Sequence, residues 1–210
     1  MKGAIIYIGI GILVASCAPT APNLQTGDLL FQTTADSPMV EAIRDATGQN
    51  DTENFSHVGI FVAEDGADSV LEASTEGGVR MVAWEKFVQR SAKINGKPYI
   101  VAKRLRDTTG VAASVLRAKQ QIGAPYDYAF RANNGKFYCS ELIEAHYKDG
   151  SGRPIFTAQP MNFRAEDGSM PAYWTELYAR LGEPIPEGEP GTNPNDMARD
   201  GKLILLGRWF

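Results

Sequence analysis

The chain has 210 residues, 43% of them hydrophobic and 22% charged, with a formal net charge of −4. That is enough for one domain with a real core, and the mildly acidic balance argues against nucleic acid or a bare anionic membrane surface as the main partner. No Gly-rich phosphate loop, metal-spaced His/Cys cluster or internal repeat is visible, so neither a cofactor nor a metal is expected.

The first segment reads as a targeting signal. Lys2 is its only charge, and an apolar run from Ala4 to Ala15 follows that is short for a membrane span. Val14-Ala15-Ser16-Cys17 resembles a bacterial lipoprotein box, which implies removal of residues 1–16 and lipidation of Cys17. Ala18 after the cysteine, by the same resemblance, points to the outer membrane if the organism is Gram-negative. The expected product is exported and held to the membrane through a lipid anchor only. Residues 17–25 read as a tether and 26–210 as one domain.

Gly27–Phe31 reads as a first strand. Ser37-Pro38 opens a helix that Gly48 ends. Ser56–Ala63 is a β-branched, apolar strand; Glu64–Asp68 is a hairpin turn, and Ser69–Ser74 returns. Val79–Val82 forms a third strand, followed by a short helix over Trp84–Arg90. Pro98–Leu105 alternates as a strand. Thr109–Ile122 has helical spacing at Val111, Val115, Leu116 and Ala118. Pro125–Tyr128 is an aromatic turn. Phe137–Lys148 reads as a helix with Leu142, Ile143 and Ala145 turned inward, and Pro171–Leu181 as another. Residues 182–193 form a Pro/Gly-rich surface loop, and Lys202–Phe210 a last strand. The expected class is α+β, an antiparallel sheet or half-barrel with helices on one side.

The chain has two cysteines and two histidines. With Cys17 assigned to lipid, Cys139 has no disulfide partner, and a free thiol in an oxidising compartment is a liability unless it is used. A polar run, Asn133–Lys136, precedes it and an apolar helical pattern follows, placing the thiol in a first helical turn. There, unpaired N–H groups and the helix dipole favour a thiolate and can hold an oxyanion. His146 lies two turns along the same helix, roughly 10 Å away, too far to take the thiol proton. His57 enters a strand after a polar loop and is the better base. A third group must orient its ring. Glu72, on the returning strand, is the candidate, with Asp127, Glu76 or an amide or backbone oxygen as rivals, because hairpin register decides which way it faces. Asp28 reads as a turn residue, Ser56 as a hydrogen-bonding neighbour of His57, Glu141 as a complement to the helix dipole, and Tyr126 and Tyr138 as substrate-binding walls of the thiol pocket.

Taken together, Gly27-Asp28-Leu29-Leu30-Phe31, Ser56-His57-Val58-Gly59-Ile60, Leu71-Glu72-Ala73, Gly123-Ala124-Pro125-Tyr126-Asp127, Tyr138-Cys139-Ser140-Glu141-Leu142 and Pro194-Asn195-Asp196-Met197-Ala198 resemble the permuted papain-like amidases, a circularly permuted branch of the NlpC-type cysteine hydrolases. The resemblance implies a sheet packed on the cysteine helix, with Cys139 as nucleophile, His57 as base and Glu72 at the family's acidic position. The implied reaction is cleavage of an amide bond through a thioester, with cell-wall (peptidoglycan) peptides as the expected substrate. A lipid-directed acyl hydrolase or acyltransferase and a non-catalytic envelope binding protein are the alternatives.

Overall fold

The structure is a computed structural model that describes residues 23–48 and 53–210. The expected signal over 1–16, the lipidated Cys17 and most of the tether lie outside the described residues.

The elements in chain order are β1 (Leu29–Gln32), α1 (Pro38–Thr47), β2 (His57–Glu64), β3 (Ala67–Ser74), β4 (Gly78–Ala83), α2 (Trp84–Arg90), β5 (Lys93–Ile94), β6 (Lys97–Pro98), β7 (Ile100–Leu105), α3 (Val111–Lys119), α4 (Cys139–His146), β8 (Gln159–Pro160), α5 (Ala172–Leu181), β9 (Pro190–Gly191), α6 (Pro194–Arg199) and β10 (Leu203–Arg208). Six strands form one antiparallel sheet in the order β10-β7-β1-β2-β3-β4. β5–β6 and β8–β9 are two-residue ribbons outside it.

Local chemistry sets the ends of these elements. Ser37 accepts a hydrogen bond from the Val40 N–H at 3.3 Å, and Pro38 occupies the first turn of α1. The β2–β3 turn contracts to Asp65-Gly66, both with positive φ (52° and 76°), the conformation a two-residue hairpin requires. α4 begins at Cys139, two residues later than its apolar pattern suggests. Phe137 is bridged to Tyr126, and its N–H and C=O are spent on Pro125 and Asp127, so the chain is still extended there.

Alternation on the central strands divides the core. Leu29, Phe31, Val58, Ile60, Leu71 and Ala73 pack against Leu142 and Ile143 of α4, with Val115 of α3 and Met197 of α6 in the same cluster. Leu30, Phe61, Val70, Ile100 and Ala102 pack on the other face against Phe87 of α2. The expectation of helices on one side is therefore corrected. All four residues of β1 are buried, and a strand buried on both sides needs cover on both. A third, aromatic cluster joins α1 to α5 through Ala42, Phe130, Tyr138, Phe163, Trp174 and Tyr178. Two residues expected inside are outside. Leu116 is 61% exposed and Ala145 is exposed, because only the Val111–Val115–Ala118 and Leu142–Ile143 stripes meet the sheet.

Gly78 marks where the sheet meets the rest of the fold. Its φ is +68°, and a Cβ there would sit 2.1 Å from the Ala124 carbonyl oxygen. That close approach lets the Val79 N–H donate to Ala124 and the Gly123 N–H donate to Val79, both at 2.9 Å, tying the segment leading to α4 onto β4.

Candidate active site

Cys139 is the first residue of α4 and is 5% exposed. The first three N–H groups of a helix have no carbonyl one turn back, so an anion at this sulfur has unpaired donors beside it. His57 is the first residue of β2, so its ring stands at the end of the sheet, near enough to Cys139 for the thiol to raise its pKa.

The hairpin register places Glu72 beside His57. Ile60 pairs with Leu71, and Val58, Ile60, Leu71 and Ala73 all face α4. His57 and Glu72 are therefore both on the opposite face, towards α2. Glu72 is fully buried, and its Oε2 lies 2.8 Å from His57 Nε2. With Nε2–H donating to the carboxylate, Nδ1 is the ring nitrogen left for the thiol. The rivals are occupied elsewhere. Asp127 accepts from the Ala129 and Arg131 N–H groups at 3.0 and 2.6 Å, and Glu76 pairs with Arg80 at the surface.

Two arginines hold Glu72, and the sequence reading missed both. Arg90, at the end of α2, donates through Nη2 to both carboxylate oxygens at 2.7 Å; Arg80 donates through Nε to Oε1 at 3.1 Å. Arg80 had a legible signal, since it pairs with Glu72 across β3–β4. Arg90 had none, because only packing of α2 brings it there. Burial would lower the pKa of His57, but its bonds to Cys139 and Glu72 and their negative charge outweigh that and raise it from 6.5 to about 9. Burial would raise that of Glu72, but its contacts with His57 and Arg90 lower it to about 2. The arrangement favours an imidazolium beside a fixed carboxylate.

Asn195, in the Pro194–Ala198 segment, also went unread as a site support. It is 1% exposed; its Oδ1 accepts from the Phe55 N–H at 2.7 Å, and its Nδ2 shares its hydrogens among Thr47 Oγ1, Phe55 O and Asn54 Oδ1 at 2.8–3.1 Å. It thereby fixes the chain two residues before His57. Gly59 shares the His57 face; a Cβ there would meet Val70 Cγ1 at 2.5 Å and Phe87 Cε2 at 3.3 Å. The missing side chain lets Phe87 come within 6.0 Å of the His57 ring, centroid to centroid.

The other expected residues fall as follows. Ser56 Oγ accepts from the Thr34 N–H at 3.2 Å, tying β2 to the chain after β1 rather than touching His57. Asp28 does close a turn, accepting from the Gln25 N–H at 2.7 Å, and it is also paired with Arg104. His146 is turned to the Leu142 carbonyl at 2.8 Å, on its own helix. Glu141 is not a simple dipole complement. Burial, with the charges of Asp127 and Glu144, overrides the hydrogen bond from the Tyr138 N–H and pushes its pKa up to about 8. Tyr126 and Tyr138 both line a pocket with Cys139.

The cleft has two lobes that meet at this site. One, of about 50 Å³, runs from Cys139 into the aromatic cluster. The other, of about 290 Å³, is of mixed character, lined by His57, Ser74, Glu76 and Arg90 on one side and by Met39, Val40 and Ile43 of α1 as well. Tyr126, Ser56 and Ile43 border both.

A family model described as "Permuted papain-like amidase enzyme, YaeF/YiiX, C92 family" matches residues 23–207. The uncharacterized protein YiiX of Escherichia coli (strain K12) is 29% identical over 211 residues, covering 99% of this chain and 96% of that protein. The crystal structure of metalloprotein yiiX from Escherichia coli O157:H7 superposes with a TM-score of 0.68 at 25% identity, covering 89% of this chain and 98% of that one.

Proposed function

The chain belongs to the permuted papain-like amidase family, a family of cysteine hydrolases, and from that premise we propose that it cleaves amide bonds through a thioester on Cys139, with His57 as the proton carrier and Glu72 as its orienter. One observation carries the reading: a single imidazole is hydrogen-bonded to a buried, doubly arginine-bound carboxylate and has its pKa raised by the thiol at a helix start.

In this mechanism the Cys139 thiolate attacks the substrate carbonyl, and first-turn N–H groups of α4 stabilise the oxyanion. Collapse breaks the C–N bond; His57 gives its proton to the departing amine, leaving a thioester. Water then attacks, giving a proton to His57, and the acid is released as the thiol is restored. Glu72 stays ionised throughout and holds Nε2–H, so Nδ1 always faces the reacting atoms.

The E. coli relative is described as a metalloprotein. Here the donor set does not fit a cation. Both Glu72 oxygens are engaged by Arg90, and among the described residues no group of three or more His, Cys, Asp or Glu could hold one. No step is routed through a metal. Residues 1–16 and Cys17 complete the proposal as a lipoprotein signal and anchor. An anchored amidase with a partly polar cleft suits peptides of the cell wall.

The test is labelling of the intact protein by iodoacetamide at pH 7, followed by peptide mass analysis. Cys139 is expected to label faster than a model thiol, and His57→Ala to abolish the advantage. Labelling at the model rate in both proteins would sink the enzyme reading.

A further inference from the structure

The two lobes differ in a way that orients the substrate. His57 has to protonate the departing amine, so the amine side of the scissile bond belongs in the lobe that His57 lines. That lobe is roomy and carries the charged groups of Glu76 and Arg90. The acyl side then enters the small lobe beyond Cys139.

Three features of the small lobe restrict what fits. Its walls include no Asp, Glu, Lys or Arg, so a charged group would be desolvated without a partner. Its open volume of about 50 Å³ holds roughly three to five heavy atoms, at the 10–15 Å³ that one water-sized group needs. The size is fixed by rings packed edge to face: Phe163 on Trp174 at 5.0 Å and Phe130 on Trp174 at 5.6 Å. The third feature is polar. Of the buried side-chain polar atoms without a hydrogen-bond partner among the described residues, Ser140 Oγ, Trp174 Nε1 and Thr192 Oγ1 all belong to residues lining this one lobe. Buried polar groups are normally paired. The indole N–H can only donate, so its missing partner is an acceptor.

We infer that the small lobe selects the acyl side of the substrate, taking a neutral group the size of a serine or threonine side chain that carries an oxygen acceptor, and excluding both long alkyl chains and charged side chains. This deepens the proposed function and rests on it. Within that reading, Trp174 and Thr192 are specificity-determining residues. A plain methyl group leaves the indole donor of Trp174 unpaired, and a rigid ring box cannot open for an octanoyl chain.

The experiment uses N-capped chloromethyl ketones, in which Cys139 sulfur displaces chloride, with the acyl-side group varied as Ser, Ala, Phe, Lys or octanoyl. Inactivation by the Ser reagent is expected to exceed that by the Phe, Lys and octanoyl reagents by about tenfold or more, and to exceed that by the Ala reagent by a smaller factor. Trp174→Phe and, as a milder change, Thr192→Val should each remove the Ser-over-Ala preference while labelling by iodoacetamide is kept. Fastest inactivation by octanoyl or Lys, or an unchanged Ser-over-Ala ratio in both variants, overturns the inference while leaving the enzyme reading intact. A Cys139 inert to iodoacetamide overturns both.

Discussion

Glu72→Gln keeps the shape of the buried carboxylate and removes its charge. In the wild type, the contacts of His57 raise its pKa from 6.5 to about 9 despite burial. Each pKa unit is about 1.4 kcal/mol, so the imidazolium is favoured by roughly 3 kcal/mol. The substitution deletes the anion and leaves Arg90 and Arg80, formerly at 2.7 and 3.1 Å from its oxygens, as cations on the same side with only the surface carboxylate of Glu76 beside them. Their repulsion and burial now act together. The expected result is a His57 that titrates well below its wild-type value of about 9, with only Cys139 left to hold it up. Only two histidines occur in the chain, so proton NMR of the ring resonances can follow both. His146, lowered by burial, serves as the internal comparison. The folding consequence has a definite sign. A raised histidine contributes stability that is complete below 6.5 and is lost as pH rises through about 9, so the wild type should weaken over that window and Glu72→Gln should not. Iodoacetamide labelling at pH 7.5 should slow about tenfold or more from the lost imidazolium alone. A His57 that still titrates near 9 in Glu72→Gln refutes this account of the site's electrostatics.

Asn195→Ala should destabilise the fold by about 2–3 kcal/mol in urea unfolding, because the buried Phe55 N–H and C=O lose their partners together. It should also slow Cys139 labelling at temperatures where the protein is fully folded, since the chain entering His57 is released. For the anchor, metabolic labelling with a palmitate analogue should mark the wild type and not Cys17→Ala; equal labelling of both would remove Cys17 from that role.

What the sequence made legible was local or periodic. The Ser37-Pro38 start of α1 and the Asp65-Gly66 turn are each set by the residues at that point. Cys139 at a helix start was readable from a polar run followed by apolar spacing, and His146 could be set aside by helix geometry alone. Glu72 was readable as a residue but not as a partner, because its direction depends on a register that one slipped residue would reverse. Arg90 and Asn195 were not readable as site residues. Each reaches its target through packing between elements distant in sequence, and an arginine ending a helix or an asparagine after a proline has many commoner uses. The second layer of helix on the sheet was missed for a related reason. Continuous burial of Leu29–Gln32 shows only once neighbours lie on both sides, and four residues are too few for a period to reveal it.

The placement of the charges explains how the order of the chain can change without changing the chemistry. His57, Glu72, Arg80 and Arg90 all come from the β2–β3–β4 meander and the helix that follows it directly. The meander's antiparallel pairs are joined by short turns, so the imidazole, its carboxylate and both cations that hold the carboxylate are assembled by near-neighbour contacts. Only the thiol arrives from outside, on α4, by packing Leu142 and Ile143 onto the far face of the same strands. That packing needs a matching apolar face and a helix start at the sheet's end. It places no demand on whether the helix precedes or follows the meander in the chain. The carboxylate and its two arginines therefore belong to the meander, and the helix adds the thiol, which also raises the His57 pKa, and its unpaired N–H groups. A permuted chain with the histidine first keeps both modules whole, because the change in order falls in the connection between them.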